Sequence, residues 1–328
     1  MRILVGDALA MLSTLDSESV DCIVTSPPYW GLRDYGVDGQ IGLEPTLEEF
    51  LDRLESVFSE CRRVLKKSGT LWINIGDSYS GNGGQFGSDK STLQGTKQDQ
   101  SQVGSAARFV KSGPPNKSMI GVPWRLALRL LDNQKWCLRN ELIWEKTNGM
   151  PESAEDRCTR NHEQLFFFVK SRFYWSDFDA LRTESKRPES VTAPHSWASS
   201  EKYHEANPAY AARKKHENPR EVSGSAAGID DRKEGYSTAM PRSVWKMAIA
   251  SFKGAHFATF PEELPRRCIL AGCPPGGVVL DPFAGSGTVL EVALSLGRDA
   301  IGIELNPKYA ELIRQRLGLY APELEVAS

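Results

Sequence analysis

No run of apolar residues in this chain approaches the length of a membrane span, and the N-terminus lacks the basic-then-apolar order of a signal peptide. Neither a membrane protein nor a secreted one is therefore expected. No C-x-x-C pair is present either: Cys22, Cys61, Cys137, Cys158, Cys268 and Cys273 are scattered, which argues against a disulfide framework and for a cytosolic compartment with reduced thiols. Cys158 and His162 stand four apart without a second ligand pair, so no metal site is expected. The chain has no excess charge of one sign, its net charge being -2. The placing of its charges says more than their sum.

What is there is ordinary material for a globular protein: 328 residues, 40% hydrophobic and 25% charged, enough for a full-sized core or a core with a large insertion. Arg2 to Val5 reads as a strand, Ala8 to Leu15 as a helix and Val20 to Val24 as a buried strand. Thr46 to Lys67 is the clearest helix, with a Thr46/Glu49 capping box, a long apolar stripe, and Lys66, Lys67 and Gly69 as its C-terminal chemistry. Thr70 to Ile75 follows as a strand. Such alternation favours a parallel sheet. From Ser78 to Ser118 the composition turns to Gly, Ser, Gln, Asp and Lys, which fits a flap at a cleft mouth and fits disorder equally well. Gly121 to Leu131 reads as a helix; Trp136 to Lys146 and Glu163 to Lys170 read as strands. Regularity fades between Ser176 and Met240, where Lys186, Arg187, Arg213, Lys214, Lys215, Arg232 and Lys233 are interleaved with Trp197, Tyr203, Tyr210 and Tyr236. Basic groups among aromatics are materials for phosphate and base contact, although a solvated insertion has the same look. The last third is regular again: helix Phe260 to Leu270, strand Val278 to Leu280, helix Val289 to Leu296, strand Ala300 to Leu305 and helix Pro307 to Leu317.

Two stretches carry the chemistry. Thr25-Ser26-Pro27-Pro28-Tyr29-Trp30 leaves a strand through two prolines, which can continue neither a ladder nor a helix. A hydroxyl, under-partnered carbonyls and two aromatic rings are thus left at a strand's carboxyl end, where open α/β sheets bind ligands. Asp281-Pro282-Phe283-Ala284-Gly285-Ser286-Gly287-Thr288 is a glycine-rich turn between a strand and a helix. Glycines there allow close backbone approach, and the helix start exposes free N–H groups. Neither a P-loop lysine nor a G-x-G-x-x-G spacing accompanies the turn, so it suits neither a triphosphate nor a dinucleotide. One strand later Glu304 can accept two ribose hydroxyls, which together with the turn points to a nucleoside-bearing cofactor. Asp7 lies where a strand ends and a helix starts, the place of a plain N-cap or of a polar contact into the cleft.

Taken together these stretches resemble the amino-group DNA methyltransferases: the Asp281 to Thr288 turn is similar to their S-adenosyl-L-methionine motif, and Thr25 to Trp30 to their catalytic motif in its N4-cytosine form. The catalytic motif comes first and the cofactor motif last, the permuted order of the β group. This resemblance implies an α/β fold, a Rossmann-like, mostly parallel methyltransferase sheet in which the strands carrying Ser26 and Asp281 are neighbours, with an inserted target-recognition region. It places the catalytic half in residues 1–175, with a loop over 78–118, the recognition region in 176–242 and the cofactor-binding half in 243–328. It assigns catalysis to Ser26, Pro27, Pro28 and Tyr29, and the cofactor to Asp7, Thr259, Phe260, Asp281, Phe283, Gly285, Gly287, Thr288 and Glu304. His256 to Pro261 is similar to the segment beside the methionine moiety. DNA contact is expected from Lys186, Arg187, Arg213, Lys214 and Lys215.

The implied reaction is base flipping followed by direct in-line methyl transfer to the N4 amine of cytosine in duplex DNA. An N6-adenine enzyme is the alternative, although that group usually has Asp or Asn where Ser26 stands. A C5-cytosine enzyme is excluded because no cysteine follows a proline. RNA or protein methyltransferases and an inactive DNA-binding homologue rank lower. The resemblance implies a cytoplasmic, prokaryotic or phage-encoded protein, a monomer or homodimer, of the kind found in restriction-modification systems.

Overall fold

The structure, a computed structural model, describes residues 1–31, 34, 36–80, 114–149, 151, 152, 154–184, 238–249 and 260–318. The chain divides into two compact units, one of Met1–Leu181 with Arg242–Ser328 and one of Arg182–Pro241. In the second unit the described residues include a two-stranded antiparallel ladder, β6 (Thr183–Glu184) with β7 (Thr238–Ala239).

The first unit is built on an eight-stranded sheet of β1 (Arg2–Val5), β2 (Val20–Thr25), β3 (Leu65–Ile75), β4 (Cys137–Lys146), β5 (His162–Val169), β8 (Val244–Met247), β9 (Val278–Asp281) and β10 (Asp299–Glu304). Their spatial order is β1-β10-β9-β2-β3-β5-β4-β8, and only the ladders made by β5 are antiparallel. β2 and β9 pair directly, with Cys22 opposite Val279 and Ile23 opposite Leu280, so segments far apart in sequence share the middle of the sheet. The neighbouring strands expected for Ser26 and Asp281 are therefore present.

Helices cover both faces. On one side lie α1 (Ala8–Ser13), α2 (Leu47–Val64) and α3 (Val122–Asp132); on the other α4 (Glu263–Gly272), α5 (Thr288–Ser295) and α6 (Pro307–Arg316). This burial on both faces explains the unbroken Leu165 to Val169 run: Phe166 and Phe168 point into one core, and Phe167 stacks on Trp72 in the other, ring centroids 4.1 Å apart.

Local chemistry sets the boundaries. Thr46 Oγ1 accepts from the Glu49 backbone N–H and opens α2, whose first turn carries Glu48 and Glu49 and whose last carries Arg62 and Arg63. The helix ends at Val64, three residues earlier than its charge pattern suggests, because Leu65 is already extended and pairs with Val20. Lys66 and Lys67 are strand residues. Lys66 Nζ binds both carboxylate oxygens of Asp21 at 2.8 Å, tying β3 to β2. Strand β8 lies in the approach to the last third, where no strand is expected; Val244 to Met247 alternates exposed and buried residues, the period of a half-buried strand. Of the 78–118 stretch, Tyr79 bridges Met119, while 81–113 lie outside the described residues.

Candidate active site

Strands β1, β10, β9, β2, β3 and β4 point the same way, and their carboxyl ends line one edge of the sheet with the start of antiparallel β5. A cavity of about 300 Å³ opens along that edge, within the size range of small-molecule sites. Both motifs reach it. Thr25, the last residue of β2, is fully buried and donates its hydroxyl to Asp281 Oδ1 at 2.7 Å, bonding one motif to the other. Asp281 Oδ1 also accepts the Phe283 N–H at 3.0 Å and so shapes the turn that follows. Burial pushes the Asp281 carboxyl up to about 7, against the pull of these two bonds, with Glu304 adding a smaller upward push.

The proline exit separates the two aromatic rings of the first motif. Ser26, Pro27, Pro28 and Tyr29 line the cavity. Trp30 turns into the core, where its Nε1 donates to the Glu44 carbonyl at 3.0 Å and its ring stacks on Phe50. The Tyr29 ring lies so close over Gly76 that a Cβ there would come within 2.7 Å of Tyr29 Cε2. Its hydroxyl donates to Glu163 Oε2 at 2.8 Å. Burial raises the phenol well above its ordinary pKa, and the Glu163 charge raises it further; hydrogen bonds from Ser26 and the Gly76 backbone act the other way.

Glu163 also accepts from Lys146 Nζ, which sits 5.0 Å from the centre of the Trp144 ring. All three line the cavity with Asn74 and Ile249, yet none is picked out by the motifs. The available signal is a charge at the cleft end of each of two neighbouring strands, Lys146 closing β4 and Glu163 near the start of the apolar β5.

At the other end of the cavity the backbone does most of the holding. Glu304 Oε2 accepts the Gly285 N–H and Oε1 the Asn306 N–H, each at 2.8 Å, while burial raises the carboxyl's pKa. Phe283, Gly285, Thr288 and Glu304 line the cavity, as do Asp7 and Phe260. Asp7 is also the N-cap of α1, its Oδ1 accepting from Ala10 N at 3.0 Å, so one residue both caps the helix and lines the cavity. Gly287 stands behind the cavity wall: its φ of 80° suits glycine, and an added Cβ would meet Ile313 Cγ2 at 2.9 Å. Its place is therefore to let α6 approach the turn. Thr259, Lys186, Arg187, Arg213, Lys214 and Lys215 lie outside the described residues.

The donor set at this end fits a nucleoside carrying a positive charge. Each Glu304 oxygen spends one lone pair on the backbone and keeps another for a sugar hydroxyl, Phe283 and Ile303 supply apolar walls, and Asp281 and Glu304 are carboxyl groups. Among the described residues, the only basic one lining the cavity is Lys146, at the opposite end.

Residues 20–315 match the family described as DNA methylase, which covers N6 and N4 amino-methyltransferases. The Type II methyltransferase M.Cfr9I of Citrobacter freundii is 43% identical over 95% of this chain and 86% of its own length. Among solved structures, a PvuII DNA methyltransferase described as cytosine-N4-specific matches with a TM-score of 0.60 at 17% identity, over 99% of this chain and 87% of that one. A putative DNA modification methylase from Thermus thermophilus, complexed with S-adenosyl-L-methionine, matches with a TM-score of 0.52 at 24% identity, over 97% and 94%. The sheet is thus that of the α/β methyltransferases, the methyl donor is S-adenosyl-L-methionine, and the chain belongs to the DNA methylase family of N6/N4 amino-methyltransferases.

Proposed function

We propose that this chain is a site-specific Type II DNA methyltransferase that modifies the N4 amine of cytosine in duplex DNA. The observation that carries the reading is the Ser26-Pro27 exit from β2, lining the same cavity as the glycine turn of the neighbouring strand β9. When bound, S-adenosyl-L-methionine supplies a methyl group already activated by its sulfonium. The chain has to make the amine a nucleophile. An exocyclic amine is planar, its lone pair delocalised into the ring. Ser26 and Pro27 line the cavity, and Ser26 Oγ and the Pro27 carbonyl are the candidates to accept its two N–H bonds; both must sit roughly 3 Å from the amine to favour a tetrahedral nitrogen whose lone pair is free to attack. With both reactants held in one cleft, proximity supplies much of the rate, and no covalent enzyme intermediate is required.

A base inside a duplex cannot reach this cleft, so it is flipped out. The Tyr29 ring, backed by Gly76, offers the stacking surface. Glu304 and Asp7 hold the nucleoside part of the cofactor, Gly285 brings the backbone close to it, and Phe283, Thr288 and Phe260 complete that wall; Thr259 is assigned to the cofactor on the sequence resemblance alone. DNA contact is assigned to Lys186, Arg187 and the Arg213-Lys214-Lys215 cluster in a recognition region over 176–242, inserted between the catalytic half (1–175) and the cofactor half (243–328). Local clustering supports that assignment rather than net charge. We place the protein in the cytoplasm of a prokaryotic cell.

Cytosine is favoured over adenine by Ser26, since the adenine-modifying members resembled here usually carry Asp or Asn at that position. The test is to incubate mixed duplex DNA with labelled S-adenosyl-L-methionine, digest it to nucleosides and identify the product by mass spectrometry. N4-methylcytosine is expected; N6-methyladenine overturns the choice of base.

A further inference from the structure

Gly287 lets α6 approach the glycine turn, and Arg316, the last residue of that helix, meets the turn directly. Its Nη1 donates to the Ser286 carbonyl and to Thr288 Oγ1, each at 3.2 Å. Its Nη2 is ion-paired with Glu291 on α5 and, at 3.6 Å, with Glu262, two residues beyond the cavity-lining Phe260. One guanidinium thus joins the turn, the helix that follows it and the segment that carries Phe260. A planar fork of donors suits such a junction, which a single ammonium would serve less well. The Arg316 side chain is only 18% exposed, whereas both carboxylates reach solvent. Ion pairs of that kind contribute little to stability, so pairing alone is a weak reason to draw the cation in against the turn.

The contact with Thr288 has a direction. Ser286 and Thr288 both line the cavity, and their hydroxyl oxygens lie 3.3 Å apart. Each hydroxyl has one proton and two lone pairs, and the bond between them uses one of the two protons, whichever side donates. A guanidinium has donors only, so Arg316 occupies a lone pair of Thr288 and takes no proton. The second proton is left for an acceptor outside the pair, and the neighbouring positive charge strengthens the pair as a donor. S-adenosyl-L-methionine brings such an acceptor in the carboxylate of its amino-acid part. Among the described residues no basic side chain lines this end of the cavity, so a carboxylate bound here depends on neutral donors and on charge set behind them.

We propose that Arg316 is a positioning residue for the cofactor, holding the Ser286–Thr288 hydroxyl pair as a donor to that carboxylate. The inference rests on seating the cofactor against the Asp281 to Thr288 turn, and a control separates the two. Two ligands are titrated by calorimetry: S-adenosyl-L-homocysteine, which has the carboxylate, and 5′-methylthioadenosine, which has the same nucleoside without it. Glu304→Gln should weaken both about fivefold; no change in either refutes the seating, and the inference with it. Arg316→Met should raise the S-adenosyl-L-homocysteine Kd about tenfold, the scale of one hydrogen bond to a charged group, and leave 5′-methylthioadenosine within about twofold of wild type. Thr288→Val should show the same preference, and the double variant should fall no further than the more impaired single variant. Arg316→Lys, which keeps a charged donor, should recover the affinity to within about threefold. An unchanged S-adenosyl-L-homocysteine Kd in Arg316→Met overturns the proposal while leaving the seating intact. So do equal losses for the two ligands, which mark a turn that is merely propped up. A double variant showing the full product of the single effects, or Arg316→Lys as impaired as Arg316→Met, overturns it as well. Should Arg316→Met lose its thermal transition, Arg316→Gln decides with the same two ligands.

Discussion

The two ends of the cleft are built on opposite principles. At the glycine-turn end, the groups that hold the site are backbone: Gly285 N and Asn306 N pin Glu304, and Phe283 N pins Asp281. At the Ser26 end, side chains from separate strands do the holding, with Tyr29 leaving β2 to meet Glu163 on β5, and Lys146 on β4 behind it. A backbone cradle tolerates many side chains and depends on conformation. A side-chain chain tolerates little change in chemistry and depends on which atom carries which proton. Substitutions at the two ends should therefore fail in different ways: the first in cofactor affinity and stability, the second in turnover at unchanged affinity.

The sharpest way to break that comparison is Tyr29→Ala. It removes the stacking surface and the link to Glu163 together, and stacking alone is worth about 1–3 kcal/mol per base. A fall in kcat of about a hundredfold to a thousandfold is expected by steady-state methylation assay, with cofactor titration unchanged; a parallel loss of cofactor affinity would merge the two ends. Gly287→Ala acts on the other end. Its φ of 80° costs a side chain about 1–2 kcal/mol, and the Ile313 contact at 2.9 Å adds to that, so cofactor Kd should rise about tenfold and the melting temperature fall. Glu304→Gln keeps one acceptor oxygen and loses the charge. A rise in cofactor Kd of about fivefold is expected by calorimetry, with kcat at saturating cofactor nearly unchanged.

The smallest effect concerns the joint between the ends. Asp281 titrates at about 7 when folded against an ordinary 3.8. Between those values the unfolded chain has ionised this carboxyl while the folded chain still holds its proton. The contribution is therefore fully present below about pH 4 and is lost as the pH rises towards 7. Asp281→Asn keeps an acceptor for Thr25 and Phe283 and removes the titration. Urea unfolding across that window should show a shallower decline with pH in the variant than in the wild type; identical slopes would place the titration elsewhere.

The same contrast explains what could be read from residues alone. The glycine turn, Glu304 and the proline exit are local patterns whose meaning lies in a few consecutive residues or in one strand's length, so they announce themselves. Asp7 is legible as a cap for the same reason. Glu163 is the one charge on an apolar strand and Lys146 one of four charges on β4, so neither stands out locally, and only the β5–β4 pairing carries them to Tyr29. Trp30 shows the converse: it follows Tyr29 directly, yet its ring goes to the core because Glu44 and Phe50 receive it there. The early end of α2 likewise depends on Val20 pairing with Leu65, a contact with no local signature.

On the proposed function, Ser26 handles the amine and leaves the cofactor to the other end of the cleft. That division is tested most directly by measuring cofactor Kd and the single-turnover methylation rate on one preparation of Ser26→Ala. A Kd within about twofold of wild type and a rate at least about a hundredfold lower are expected, the range of a lost group acting directly on the reacting nitrogen. A wild-type rate, or a rate and an affinity that fall together, would contradict it.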